Sequence, residues 1–223
     1  MAFQTAHHNT GLVVNQAHNV VIQEQNITYV LNDESISVNK SFFSGSHYER
    51  HKNVNPPRTK DTCRWFLNHL TFQEWRQRGR SDVLWVSADP GCGKSVLSRS
   101  LVDEGLTHNG SATTCYFFFE SNEDQNQITT AICALLNQLF CRGRGEKLFR
   151  KFAIEAIEKD GGKLKDNFGL LWDLFISVAS DSATGDVICI LDALDECRQP
   201  DRNTLMLHLK QFHEKFADKW NES

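Results

Sequence analysis

No apolar run in this 223-residue chain approaches the ~20 residues that a membrane-crossing helix needs. The N-terminus lacks the basic region and apolar stretch of a secretory leader. Excess positive charge is missing as well. With 24 Lys and Arg against 28 Asp and Glu, the formal net charge is −4, and Arg142 and Arg144 make no basic stripe. A nucleic-acid-binding surface is therefore not expected. Paired cysteine spacing is absent too: the cysteines number seven, an odd count, which suits a reducing cytoplasm rather than a disulfide framework. Cys63, Cys115, Cys133 and Cys189 fall in apolar runs and read as packed core residues. His47, His51, His208 and His213 come without the Cys or carboxylate arrangement of a metal site and read as surface residues. What remains is ordinary for a folded core, 40% hydrophobic and 23% charged, enough for one α/β domain with a tail.

Charge is scarcest at the front. Glu24 is the only charged side chain before Asp33, and no proline occurs in residues 1–32. Three pieces recur loosely there: Leu12-Val-Val-Asn15, Asn19-Val-Val-Ile22 and Asn26-Ile-Thr-Tyr-Val30. High β-propensity, low charge and many amides are the composition of a self-assembling cross-β segment. The same composition also suits a short β-hairpin or an unstructured lead-in. Residues 33–57 read as a linker, with Ser, Asn and Gly clusters closing on Asn55-Pro56-Pro57, which no helix runs through.

The most informative stretch is Ala88-Asp89-Pro90-Gly91-Cys92-Gly93-Lys94-Ser95-Val96, preceded by the apolar run Asp82-Val-Leu-Trp-Val86. A strand that breaks into a glycine turn ending Gly-Lys-Ser, then into a helix, is a phosphate loop. Gly91 and Gly93 let successive N–H groups turn inward as an anion nest, and the following helix adds its positive end. Lys94 is expected to reach the β- and γ-phosphates and the Ser95 hydroxyl to ligate Mg²⁺. Ala88 stands where the usual pattern has its first glycine.

A second motif completes the first. Val187-Ile-Cys-Ile-Leu191 has no polar alternation, as in a strand covered on both faces, and it ends in Asp192-Ala-Leu-Asp195-Glu196. A carboxylate at that end of the strand lies beside the phosphate loop, so Asp192 is expected to hold the metal. Asp195 or Glu196 is expected to orient or deprotonate an attacking water. Glu123 or Asp124, in the polar loop after the strand at 113–119, is a weaker candidate near the magnesium.

Strands are predicted over 82–87, 113–119 and 187–191. Helices are predicted from about Thr59, capped by Thr59 or Asp61, from Lys94, over 128–139, 146–159, 163–180 and 203–219. Strands alternating with helices mean a parallel sheet with crossovers, helices lying on both faces. The fold class is thus α/β, with a β-prone N-terminal segment over 1–32 and the nucleotide-binding domain over 58–223.

The runs Asp61-Thr-Cys-Arg-Trp-Phe-Leu67, Phe72-Gln-Glu-Trp75, Leu84 through Ser98, Ser111 through Phe119 and Ile188 through Cys197 resemble the NACHT-type NTPases of filamentous fungi, in the STAND class, and their nephrocystin-like N-terminal domain. The resemblance covers about Ser46 to Phe212. It implies ATP or, less readily, GTP binding with Mg²⁺ in an NLR-like signalling switch whose nucleotide state controls self-association. It also implies a role for residues 1–32 as a signalling segment toward a downstream effector, and places Arg58 and Thr59 near the base. Family members continue into a further strand and a helical region that close over the nucleotide, so the sheet is expected to be incomplete at its C-terminal side. Hydrolysis is then in doubt, since positive groups aimed at the γ-phosphate supply about 10³–10⁵ of the rate.

Overall fold

The computed structural model describes residues 12–14, 20–24, 27–31, 41–43, 48–77, 81–105, 112–123, 125–142 and 145–217. The chain divides into two compact units, Met1–Phe43 and Ser44–Ser223.

In the first unit the three β-branched pieces pair with one another. Strands β1 (Leu12–Val14), β2 (Val20–Glu24) and β3 (Ile27–Leu31) form an antiparallel meander. Val13 stands opposite Val21, and Ile22 opposite Tyr29.

The second unit is built on two parallel strands, β4 (Thr113–Phe118) and β5 (Val187–Asp192), in the register Cys115 to Cys189 and Phe118 to Asp192. Parallel neighbours need a long crossover. It consists of α5 (Ile128–Phe140), α6 (Gly145–Leu148), a π-helical turn (Phe149–Ala153), α7 (Ile154–Asp160), α8 (Lys163–Asp166) and α9 (Phe168–Ala179). The apolar stripe predicted for the first of these is buried: Ile128, Ile132, Leu135, Leu136 and Leu139 are each no more than 2% exposed. The two-residue alternation of a strand puts Ile188, Ile190 and Asp192 on one face of β5. Ile188 and Ile190 pack on Phe66, Phe72 and Leu97, contributed by α2 (Arg64–Leu67), α3 (Leu70–Gln77) and α4 (Lys94–Glu104). After β5 comes α10 (Gln199–Ala217), whose His208 and Phe212 meet Trp172 of α9.

Sheet edges carry unpaired backbone groups that must be managed. At the outer edge of β4 the Gln138 side chain, 1% exposed, donates to Tyr116 O at 2.8 Å and accepts from Tyr116 N at 3.1 Å. Arg142 donates to Thr114 O at 2.8 Å. Side chains thus stand in for a neighbouring strand.

Several expectations need correction. Residues 82–87 form no strand; 81–89 run as irregular chain. An extended segment becomes a strand only by pairing, and β5 pairs with β4 alone among the described residues. Leu84 still packs on the Phe66 cluster, while Trp85 is 58% and Val86 41% exposed. Cys189, expected in the core, is exposed. The helix expected from Thr59 is split into α2 and α3, and Cys63, not Thr59 or Asp61, is its N-cap residue. Asp61 (φ 69°) and Cys63 (φ 64°) lie in the left-handed region, which holds the helix start back to Arg64, and the split falls at Asn68 and His69. The helix expected over 163–180 breaks at Asn167, which caps α9 by accepting from Leu170 N. The last helix begins at Gln199 rather than 203.

Within the stretch read as linker, α1 (Tyr48–Val54) packs its Tyr48 ring against Tyr116, 5.6 Å between centroids. His51 and His208 are half-buried rather than surface residues, and His51 Nδ1 lies 2.5 Å from Glu120 Oε1. His47 falls outside the described residues.

Candidate functional site

Gly91 (φ 79°) and Gly93 (φ 81°) both take the left-handed backbone that L side chains avoid. A Cβ at either would meet nothing within 4 Å. Glycine is required there by the turn, and the loop opens onto free space. Cys92 N donates to Asp89 O at 3.3 Å, and Leu97 N to Gly93 O at 2.9 Å begins α4. Gly93 caps that helix with no side-chain acceptor, which leaves first-turn N–H groups as donors at the positive end of the helix. Ala88, Asp89, Pro90, Gly91, Cys92 and Gly93 are exposed, and Lys94, Ser95 and Val96 are half-buried. The Lys94 ammonium turns back onto the loop and donates to Ala88 O at 2.7 Å and Asp89 O at 3.1 Å.

Asp192 ends β5 at 5% exposure. A buried carboxylate needs a partner, and Ser98 supplies it, donating from Oγ to Asp192 Oδ1 at 2.7 Å. The next residue, Ala193, is left-handed at φ 54°, a conformation that costs a non-glycine residue about 1–2 kcal/mol. It turns the chain sharply into the 3₁₀ turn Leu194–Glu196. Both acids of that turn are exposed. The Asp195 carbonyl accepts from Arg202 at 3.2 Å, and Glu196 Oε2 accepts from Ser121 N at 2.9 Å and Ser121 Oγ at 3.2 Å.

The structure therefore joins the two motifs through α4 and β5, which are in contact. The hydrogen bond to Asp192 comes from Ser98, one turn past Ser95. Sequence reading missed Ser98, although helical spacing puts Ser95 and Ser98 on one face. It also missed Ser121, the partner of Glu196. The Arg58 guanidinium grips the Glu104 carboxylate and donates to Thr62 O at 2.7 Å. Glu104 ends α4, about 15 Å of helix from Lys94. Glu123 is exposed, and Asp124 falls outside the described residues.

The same helix end carries a charged cluster. Lys52 reaches Asp103 at 2.5 Å and Arg99 reaches it at 3.2 Å. Desolvation opposes ionisation of Asp103, but these two cations outweigh it and hold its carboxyl below the usual 3.8. Burial pushes the Cys115 thiol up to about 12 and that of Cys197 to about 11.

The donor set fits a magnesium nucleotide. Hydroxyl and carboxylate oxygens are the hard ligands Mg²⁺ takes, and an ammonium with a helix N-terminus suits phosphate.

Residues 61–221 match the family model described as Nephrocystin 3, N-terminal. The chain belongs to that family. As a nephrocystin-like, NACHT-type domain it is similar to the Vegetative incompatibility protein HET-E-1 of Podospora anserina, 25% identical over 141 residues. That match covers 62% of this chain and 10% of the relative, so the chain spans about a tenth of the relative's length. No solved structure matches the chain. None of the helices among the described residues is long and apolar enough to cross a membrane.

Proposed function

We propose that this nephrocystin-like domain is a cytoplasmic nucleotide-binding switch whose Mg-ATP state governs self-association. The observation that carries the reading is the left-handed glycine loop leading into α4, with Lys94 lying across it and the buried Asp192 tied to the same helix. Loop amides and Lys94 hold the phosphates. Ser95 and Asp192 hold Mg²⁺, which when bound neutralises phosphate charge. ATP is preferred over GTP because the chain carries no Asn-Lys-x-Asp motif.

Glu196 and Asp195 are the candidates for positioning water. Glu196 is bound to Ser121, so binding without turnover is the reading we favour. The relative's printed name, a vegetative incompatibility protein, supports signalling as the setting.

Titration with a fluorescent ATP analogue and Mg²⁺ tests this directly. The Lys94→Ala variant should lose at least 100-fold in affinity while its melting temperature stays put. Equal binding by Lys94→Ala, or no binding by folded wild type, sinks the proposal.

A second reading rests on the β-prone, proline-free, low-charge composition of residues 1–32: self-assembly through that segment, with an effector recruited there. Deletion of 1–32 should then abolish assembly that Lys94→Ala leaves intact.

A further inference from the structure

We infer that Ser98 is a positioning residue that orients the Asp192 carboxylate toward bound magnesium; this rests on the nucleotide-binding reading above. Two observations converge. Asp192 is 5% exposed, so water cannot orient it freely. Ser98 Oγ donates to Oδ1 at 2.7 Å, across 94 residues of chain. An O–H···O⁻ bond of that length is charge-assisted and holds the carboxylate plane in one orientation. With Oδ1 engaged, Oδ2 is the oxygen left for a cation or a cation-bound water.

Ser98 and Ser95 then divide the work of one helix face. Ser95, at the loop, meets the metal. Ser98, one turn on, aims the second oxygen ligand. Val96 and Leu97 between them are half-buried and buried, so α4 is locked against the Phe66 cluster and the two hydroxyls keep a fixed spacing.

Groups that orient a metal ligand are worth about 10–100-fold in metal affinity. The experiment uses the full chain and a fluorescent ATP analogue, titrated with MgCl₂ and separately bound in EDTA. In Ser98→Ala the magnesium midpoint should rise about tenfold, the affinity in EDTA should stay unchanged, and Ser98→Thr should restore the wild-type midpoint. A role limited to packing would move both affinities together.

If Ser98→Ala does not fold, Ser98→Cys keeps the unbranched shape, slightly enlarged, with a weak donor and should show a rise in the same direction at a native melting temperature. A midpoint equal to wild type in the folded variant, or a matching loss in EDTA, overturns the role of Ser98 and leaves nucleotide binding standing. No binding by the wild type overturns both.

Discussion

The two edges of the small parallel sheet are finished in opposite ways. Along β4, the Gln138 amide and the Arg142 guanidinium bond to the strand's own backbone at Tyr116 and Thr114, and α5 lies against it with its apolar stripe buried. Around β5, by contrast, segment 81–89 joins no strand ladder among the described residues, Trp85 and Val86 are exposed, and Cys189 of β5 itself is open to solvent. One edge is closed by side chains. The other strand ends in Asp192, tied by Ser98 to the helix that follows the phosphate loop. Stability is concentrated at β4, and the candidate chemistry sits where backbone is least committed, as is usual for sites that must bind and move.

The largest effect should come from breaking the closed side. Phe117, fully buried in β4, truncated to Ala should cost about 3–5 kcal/mol. Trp85→Ala should stay within about 0.5 kcal/mol, since its ring is mostly solvated. Chemical denaturation midpoints of the two variants decide it, and equal losses would erase the distinction between the edges.

A smaller loss is expected from Gln138→Leu. It keeps bulk but strands the Tyr116 N–H and C=O in a dry site, at about 1–3 kcal/mol. Hydrogen exchange reads the same change locally: the Tyr116 amide should lose protection while the amides of Leu84–Val86, outside any ladder among the described residues, exchange quickly in both proteins.

The smallest effect concerns Asp103 at the far end of α4. Its folded carboxyl titrates below the ordinary 3.8. The stabilisation is therefore complete above that value and fades as pH falls through the depressed one. Asp103→Asn should narrow the stability gap to wild type between pH 7 and pH 3, measured by urea unfolding. An unchanged gap would remove the pairing with Lys52 and Arg99 from the account.

Legibility followed the range of the interactions. The glycine turn at Gly91 and Gly93 and the helix start at Lys94 are legible because both are local events. The place of Asp192 at the end of β5 is legible because an apolar run ending in an acid needs no partner to be noticed. The strand over 82–87 was misread because pairing depends on a neighbour that periodicity cannot supply. Ser98 and Ser121 were missed for a related reason: their acceptors lie far away in sequence, and nothing near either serine announces them. Exposure of Cys189 escaped notice because an apolar run predicts burial on average, and this one borders an open edge.

The acidic turn after β5 is stitched to the segment after β4 at three points: Glu196 to Ser121, Arg198 N to Asn126 O at 3.0 Å, and Asp201 to Ile128 N at 3.1 Å. Those stitches make a single lever of the acids and the first turn of α5. Withdrawing Glu196 from Ser121 to position a water would tug at the start of a buried helix, so an event of one side chain at the nucleotide would be felt across the crossover that carries most of the core.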